Sequence, residues 1–302
     1  SITNICGVKH ESLGKICFSA NWMSSTRTAD ERGDLLRGVQ SLSNMADYLG
    51  LSIPVGKDSL SMNTSWNSES NEHSVTSPMT LNISSFSNVS DLRKSVTPEL
   101  STKDSTLLHV WINEGEFRLG GSSLYLSNNL FGGATPDIED PEKFKQLFEV
   151  SQELISKSLI EALHDISDGG LITTLIEMSL CSNSGLDIRL DFSDKERIIP
   201  KLFSEEVGYV IEIDNEKLTE VKENLTKRGL FFDEVGRKNI DKKINIFSFD
   251  DVLFSSSLNK LFDEWSSVSH KIQTIRDSIE SAQSEKEVYK KWDEIITPKI
   301  DF

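Results

Sequence analysis

The stretch Leu163-His164-Asp165-Ile166-Ser167-Asp168-Gly169-Gly170, followed by an apolar-periodic run over 171–180, most constrains how this chain folds. Leu171, Leu175, Met178 and Ser179 recur at helical spacing, and residues 183–185 supply a stop. The pattern predicts a helix capped by Asp168 or Ser167. Two glycines at its mouth would let an anion approach free backbone amides. Asp165, just upstream, repels phosphate unless a hard cation lies between them, as when magnesium takes one or two carboxylates plus phosphate oxygens and water. An ordinary capped helix after a tight turn explains the same residues, with the acids merely favouring the helix dipole.

At 302 residues the chain can bury one large core or two moderate ones, and two subdomains are expected. A formal net charge of -16 argues against nucleic acid as a partner. No apolar run is long enough to span a bilayer and no cleavable leader opens the chain, so no membrane partner and a cytoplasmic location are expected. Cys6, Cys17 and Cys181 lack CxxC spacing and read as small buried side chains. His10, His73, His109, His164 and His270 show no paired spacing and read as core or surface residues.

Strands are predicted over 15–19, 53–55, 59–62, 79–87, 105–112, 186–190, 208–213, 231–236 and 244–249, the last closing the sheet. Helices are predicted over 34–49, 144–163, 198–203 and 218–228, with 64–78 a surface hairpin or loop and 89–104 a boundary. Leu81, Ile83 and Phe86 are core candidates. Such alternation indicates a mixed α/β (α+β) fold in two layers. Leu258, Leu261, Trp265 and Val268 continue as a helix, and a polar linker is expected from about 278.

Two further segments resemble anion sites. The stretch 49–62, which contains Val55-Gly56-Lys57-Asp58-Ser59, reads as a helix end, a buried strand start and a loop offering a cation, a carboxylate and hydroxyls, and a Lys57–Asp58 ion pair in a turn is the plain alternative. Gly120-Gly121-Ser122 either exposes amides to a phosphate or makes a tight strand turn.

Together with the octapeptide and Phe203-Ser204-Glu205-Glu206-Val207-Gly208, these segments occur in a telling order. From residue 1 to about 265 the chain resembles the C-terminal half of the synthetase region of the phosphoribosylformylglycinamidine synthase family, large multidomain form, in the aminoimidazole ribonucleotide synthetase superfamily. The resemblance implies a half-barrel subdomain over 1–95, a sheet-plus-helices subdomain over 105–253, and a helix and linker over 254–302 leading to a glutaminase domain. It implies Asn4 and Asp165 as magnesium ligands and Ser167 as a contact to ATP or ADP, with an acidic ligand four positions before Asn4 and a further aspartate outside the chain. On the residues alone, Asn4 is a surface amide or a helix C-cap.

The matched site is the structural nucleotide site of a duplicated region, so no catalytic residue is expected here. Gly56, Lys57, Ser59, Gly120, Gly121 and Ser122 are candidate phosphate or substrate contacts, although shorter relatives carry asparagine where Lys57 stands, and an ammonium cannot ligate magnesium. Ile166 replaces an arginine usual in bacterial relatives. The family reaction uses ATP and glutamine-derived ammonia to convert formylglycinamide ribonucleotide to its amidine. The start at Ser1-Ile2-Thr3-Asn4-Ile5 looks like a helix already under way, and the expectation is a fragment, inactive without the other synthetase half and the glutaminase. A nucleotide-stabilised, non-catalytic scaffold of the same fold is the alternative function.

Overall fold

The computed structural model describes residues 1–68, 71–115, 117–190 and 195–291. A short 3-10 helix, Asn4–Gly7, precedes β1 (Cys17–Met23). Helix α1 (Ala29–Leu49) starts earlier than periodicity suggests, because Thr28 and Glu31 form a reciprocal capping box, and it stops at the left-handed Gly50. Strand β2 (Ser52–Ser59), the β3 (Asn63–Ser68) and β4 (Asn71–Thr76) hairpin, and β5 (Thr80–Phe86) follow. β1 is the centre of a three-stranded sheet, parallel to β2 and antiparallel to β5.

This sheet corrects two expectations. Residues 55–59 are strand rather than loop, because β2 pairs with β1 along its length. Phe86 is exposed: it pairs with Cys17, whereas Leu81 and Ile83 pair with the buried Trp22 and Ala20, and strand faces alternate with period two.

Next come β6 (Ser105–Trp111), α2 (Ser123–Ser127), α3 (Pro141–Ser156), β7 (Ala162–Asp165), α4 (Gly170–Ser182), β8 (Gly185–Arg189), α5 (Ile198–Phe203), β9 (Gly208–Asp214), α6 (Leu218–Lys227), β10 (Phe231–Asn239), β11 (Lys243–Ser248) and β12 (Asp251–Ser257). The helix expected over 144–163 ends at Ser156, leaving 162–165 to form an edge strand. Seven strands pair in the order β12-β11-β8-β10-β6-β9-β7, so β12 lies beyond the strand expected to close the sheet. The sheet is covered on both faces, giving three layers rather than two. Leu108, Val110, Tyr209 and Ile211 pack with α3 and α6, while Leu107, Val210, Leu186 and Ile188 pack with α4 and α5. Strands β6 and β9 are almost continuously buried for that reason, polar residues such as His109 and Glu212 included.

The first core also contains Ile2, Cys6, Ile16, Phe18 and Leu49, so the N-terminal elements and α3 share one apolar interior. α7 (Leu258–Arg276) and α8 (Ile279–Lys290) form a helical hairpin. Residues 279–290 are therefore helix rather than linker: Ala282 is buried, Tyr289 stacks on Phe262 at 3.9 Å, and Lys286 pairs with Asp263 at 3.0 Å. The linker expectation for 292–302 lies outside the described residues. No helix among the described residues is long and apolar enough to cross a membrane. Cys6 is buried as expected, but Cys17 is half-buried and Cys181 is exposed.

Candidate functional site

Asp165 ends the edge strand β7 and is buried. Ladder-like bonding continues one residue further, with Ile166 N–H donating to the Gly208 carbonyl at 3.0 Å, and Thr174 Oγ1 donates to the Asp165 carbonyl at 3.0 Å. These bonds fix the strand end against α4. The Asp165 carboxylate accepts from Thr3 Oγ1 at 3.2 Å on Oδ2, and His164 Nδ1 lies 3.4 Å from Oδ1. The segment Asn4–Gly7, in which Asn4 is exposed, packs against β7, the strand that Asp165 ends.

His164 Nε2 lies 3.0 Å from Glu177 Oε2, so the ring is held between two carboxylates. Burial opposes charge on the imidazole, but Asp165 and Glu177 outweigh it and hold its pKa up to about 9. Burial likewise opposes charge on Asp165, yet the contacts with His164 and Thr3 keep its pKa below the ordinary value. His164 is thus neither a plain core nor a plain surface residue. Its partner Glu177 lies a full loop and half a helix away in sequence, and no local spacing signals the pairing.

The turn after β7 carries Ser167 and Asp168, both exposed. α4 is capped by Gly169 rather than by Ser167 or Asp168, with Gly169 and Gly170 at φ of 88° and 73°. A Cβ on Gly170 would lie 2.7 Å from the Phe203 carbonyl carbon and the Ser204 oxygen. The free amide at the helix mouth already has an anion: Glu205 Oε1 accepts from Gly169 N–H at 2.8 Å and from Ser123 N–H at 2.9 Å. Neighbouring Glu206, buried, binds Arg118 Nε at 2.5 Å and Arg118 Nη2 at 2.9 Å, and Ser204 Oγ donates to the Arg118 carbonyl at 2.9 Å. The triplet Ser204-Glu205-Glu206 therefore joins the loop 118–123 to the turn 167–170. Nothing in its sequence context marks this role.

Within that loop, Gly120 packs against the Gly133 and Ala134 carbonyls, Gly121 has φ of 74°, and Ser122 caps α2 while donating to the Leu119 carbonyl at 2.7 Å. Gly56, Lys57 and Ser59 lie elsewhere, on β2. A Cβ on Gly56 would lie 2.2 Å from the Ala20 carbonyl oxygen. Register puts Lys57 opposite Asn21, which in turn pairs with Asn82, on the open polar face of the three-stranded sheet. Lys57 Nζ donates to Ser59 Oγ at 3.1 Å. A Lys57–Asp58 ion pair does not form, because consecutive strand residues face opposite ways.

Among the described residues, no three His, Cys, Asp or Glu side chains converge as a metal cage. Asp165 nevertheless suits magnesium, which commonly takes one or two carboxylates and completes its shell with phosphate and water. A carboxylate has about four lone-pair positions, and the contacts from Thr3 and His164 use two.

The family model for the FGAR-AT PurM_N-like domain matches residues 1–88, and that for the AIR synthase related protein C-terminal domain matches residues 111–247. The chain belongs to the AIR synthase-like superfamily. The structure of T. maritima PurL complexed with ATP is similar over 83% of this chain and 38% of that one, with TM-score 0.54 and 17% identity. PurL of the same organism complexed with FGAR aligns over 82% of this chain and 40% of that one, with TM-score 0.52 and 17% identity. E. coli HypE, a hydrogenase maturation protein, aligns over 85% of this chain and 79% of that one, with TM-score 0.57 and 16% identity. At such identities these likenesses show the mixed α/β fold, and the chain spans about two-fifths of the PurL length.

Proposed function

We propose that the chain is the portion of a phosphoribosylformylglycinamidine synthase that holds a magnesium-bound nucleotide. In the intact enzyme, ATP activates the amide oxygen of formylglycinamide ribonucleotide and glutamine-derived ammonia displaces it, a carbon–nitrogen ligase reaction. The observation that carries this reading is the buried Asp165 carboxylate, beside Asn4–Gly7 and directly before the Gly169–Gly170 turn that opens α4. The PurL complexes with ATP and FGAR support the same ligand classes.

Asp165 and Asn4 would supply hard oxygen ligands to magnesium, which bound there would neutralise the phosphates. Ser167, exposed at the turn, would donate to the nucleotide. Such a site stabilises rather than catalyses, because a ligand at 100 times its Kd adds about 2.7 kcal/mol to the folded state. Gly120, Gly121 and Lys57 would contact phosphate or substrate, with Gly56 letting β2 approach β1 closely and Ser59 orienting Lys57. Ser122 would act through the cap of α2. The open face of β2, β1 and β5 would meet the other synthetase half, and a glutaminase would supply ammonia.

Calorimetry with Mg-ADP tests the reading. Asp165→Ala is expected to weaken binding at least tenfold, and equal affinity in the two proteins contradicts the metal role. One observation favours the scaffold alternative: Glu205 already satisfies the amides of Gly169 and Ser123. Amidine formation on mixing the chain with a complementing synthetase half and ammonia would exclude that alternative.

A further inference from the structure

We propose that His164 and Glu177 are positioning residues for Asp165, and that through Trp265 they link the α7–α8 hairpin to occupancy of the nucleotide site. The inference rests on the function proposed above and adds a regulation to that site.

The contacts form an unbroken series. His164 Nδ1 faces Asp165 Oδ1 at 3.4 Å, and its Nε2 faces Glu177 Oε2 at 3.0 Å. The other Glu177 oxygen, Oε1, accepts from the Trp265 indole N–H at 2.9 Å. Trp265 packs on Phe262 with ring centroids 6.4 Å apart, Phe262 stacks on Tyr289 of α8, and the Tyr289 hydroxyl donates to the Leu180 carbonyl at 3.4 Å.

Trp265 is 55% exposed, so water could take its N–H, yet the indole is turned to Glu177. Each carboxylate therefore has a partner on both sides: Asp165 between Thr3 and His164, Glu177 between His164 and Trp265. A cation on Asp165 takes lone pairs that Thr3 and His164 leave free and draws the carboxylate's charge away from the His164 contact. The ring, still held by Asp165, then leans further on Glu177, and the share of Glu177 left for Trp265 changes. Such outer partners orient a metal ligand, and their loss typically costs 10–100-fold in metal affinity.

Tryptophan emission during Mg-ADP titration, with calorimetry on the same samples, tests the link. Trp265→Phe controls for the other tryptophans among the five in the chain. Binding is expected to change the emission of the unaltered protein, and Trp265→Phe to abolish that change while keeping affinity within about threefold. Glu177→Ala is expected to weaken Mg-ADP about tenfold and to lose the signal. Glu177→Gln, which still accepts from Trp265 and can donate to Nε2, is expected to restore part of both. If Asp165→Ala weakens binding while both Glu177 variants bind as the unaltered protein does, or if Trp265→Phe keeps the full emission change, the link is overturned and the nucleotide site stands. If Mg-ADP binds neither the unaltered protein nor one extended upstream to restore the acidic ligand four positions before Asn4, both fall together.

Discussion

Lys201 shows how much one buried side chain can set. It is 1% exposed, its ammonium lies 3.6 Å above the Trp111 ring and 4.6 Å above the Phe117 ring, and it pairs with Asp233 at 2.8 Å. Burial pulls its pKa down to about 8 from 10.5, with Asp233 only partly opposing. Between those values the unfolded chain keeps a proton that the folded chain has released, so this residue makes stability rise with pH from about 8 to 10.5. Lys201→Met is expected to leave stability at pH 7 unchanged or to raise it by about 1–3 kcal/mol, since it removes a buried charge while its half-exposed partner Asp233 stays solvated. It should also flatten the pH dependence above 8. Urea titrations at pH 7 and pH 10 check both, and a loss of stability at pH 7 would show that the aromatic and ionic contacts outweigh desolvation. Sequence inspection gave Lys201 no role, because its surroundings come from β6 and β10, which lie far from α5 in the chain.

At the scale of elements, the turn between β7 and α4 depends on backbone conformation. Gly170 combines φ of 73° with a Phe203–Ser204 backbone too close for a Cβ. Gly170→Ala is expected to destabilise by about 2–4 kcal/mol, from strain at positive φ and from overpacking. It should also separate Glu205 from Gly169. Thermal denaturation measures the first effect, and the Gly169 and Ser123 amide resonances report the second. A change under about 0.5 kcal/mol would mean that the α4–α5 contact yields easily. Element types were legible wherever periodicity, a cap or a stop was strong: α5 matches its expected bounds, and the stop expected over 183–185 is where α4 ends, at the left-handed Asn183. The end of α3 was not legible, because the apolar pattern runs on from Ser156 into the buried residues of β7. A buried strand and a buried helical turn read alike in sequence. β12 was missed because residues from 254 were assigned to the helix and linker that follow, whereas the helix starts only at Leu258.

Across the whole molecule, the core that joins Ile16, Phe18 and Leu49 to Leu147 and Phe148 makes the two sheets mechanically dependent. Phe148→Ala is expected to cost about 3–5 kcal/mol and to lower one shared urea midpoint. Separate transitions for probes on β1 and on β9 would refute that dependence. By itself the sequence determined the mixed α/β class, the glycine-rich turn before α4 and the acidic residue at its mouth. These are local matters of periodicity, backbone freedom and residue chemistry. Only the tertiary structure decided that Glu205 holds the amides of Gly169 and Ser123, that Thr3 and His164 flank Asp165, and that Lys57 lies on a different sheet. Those facts depend on strand order and register, which bring together side chains up to 162 positions apart, and no local pattern encodes such pairings.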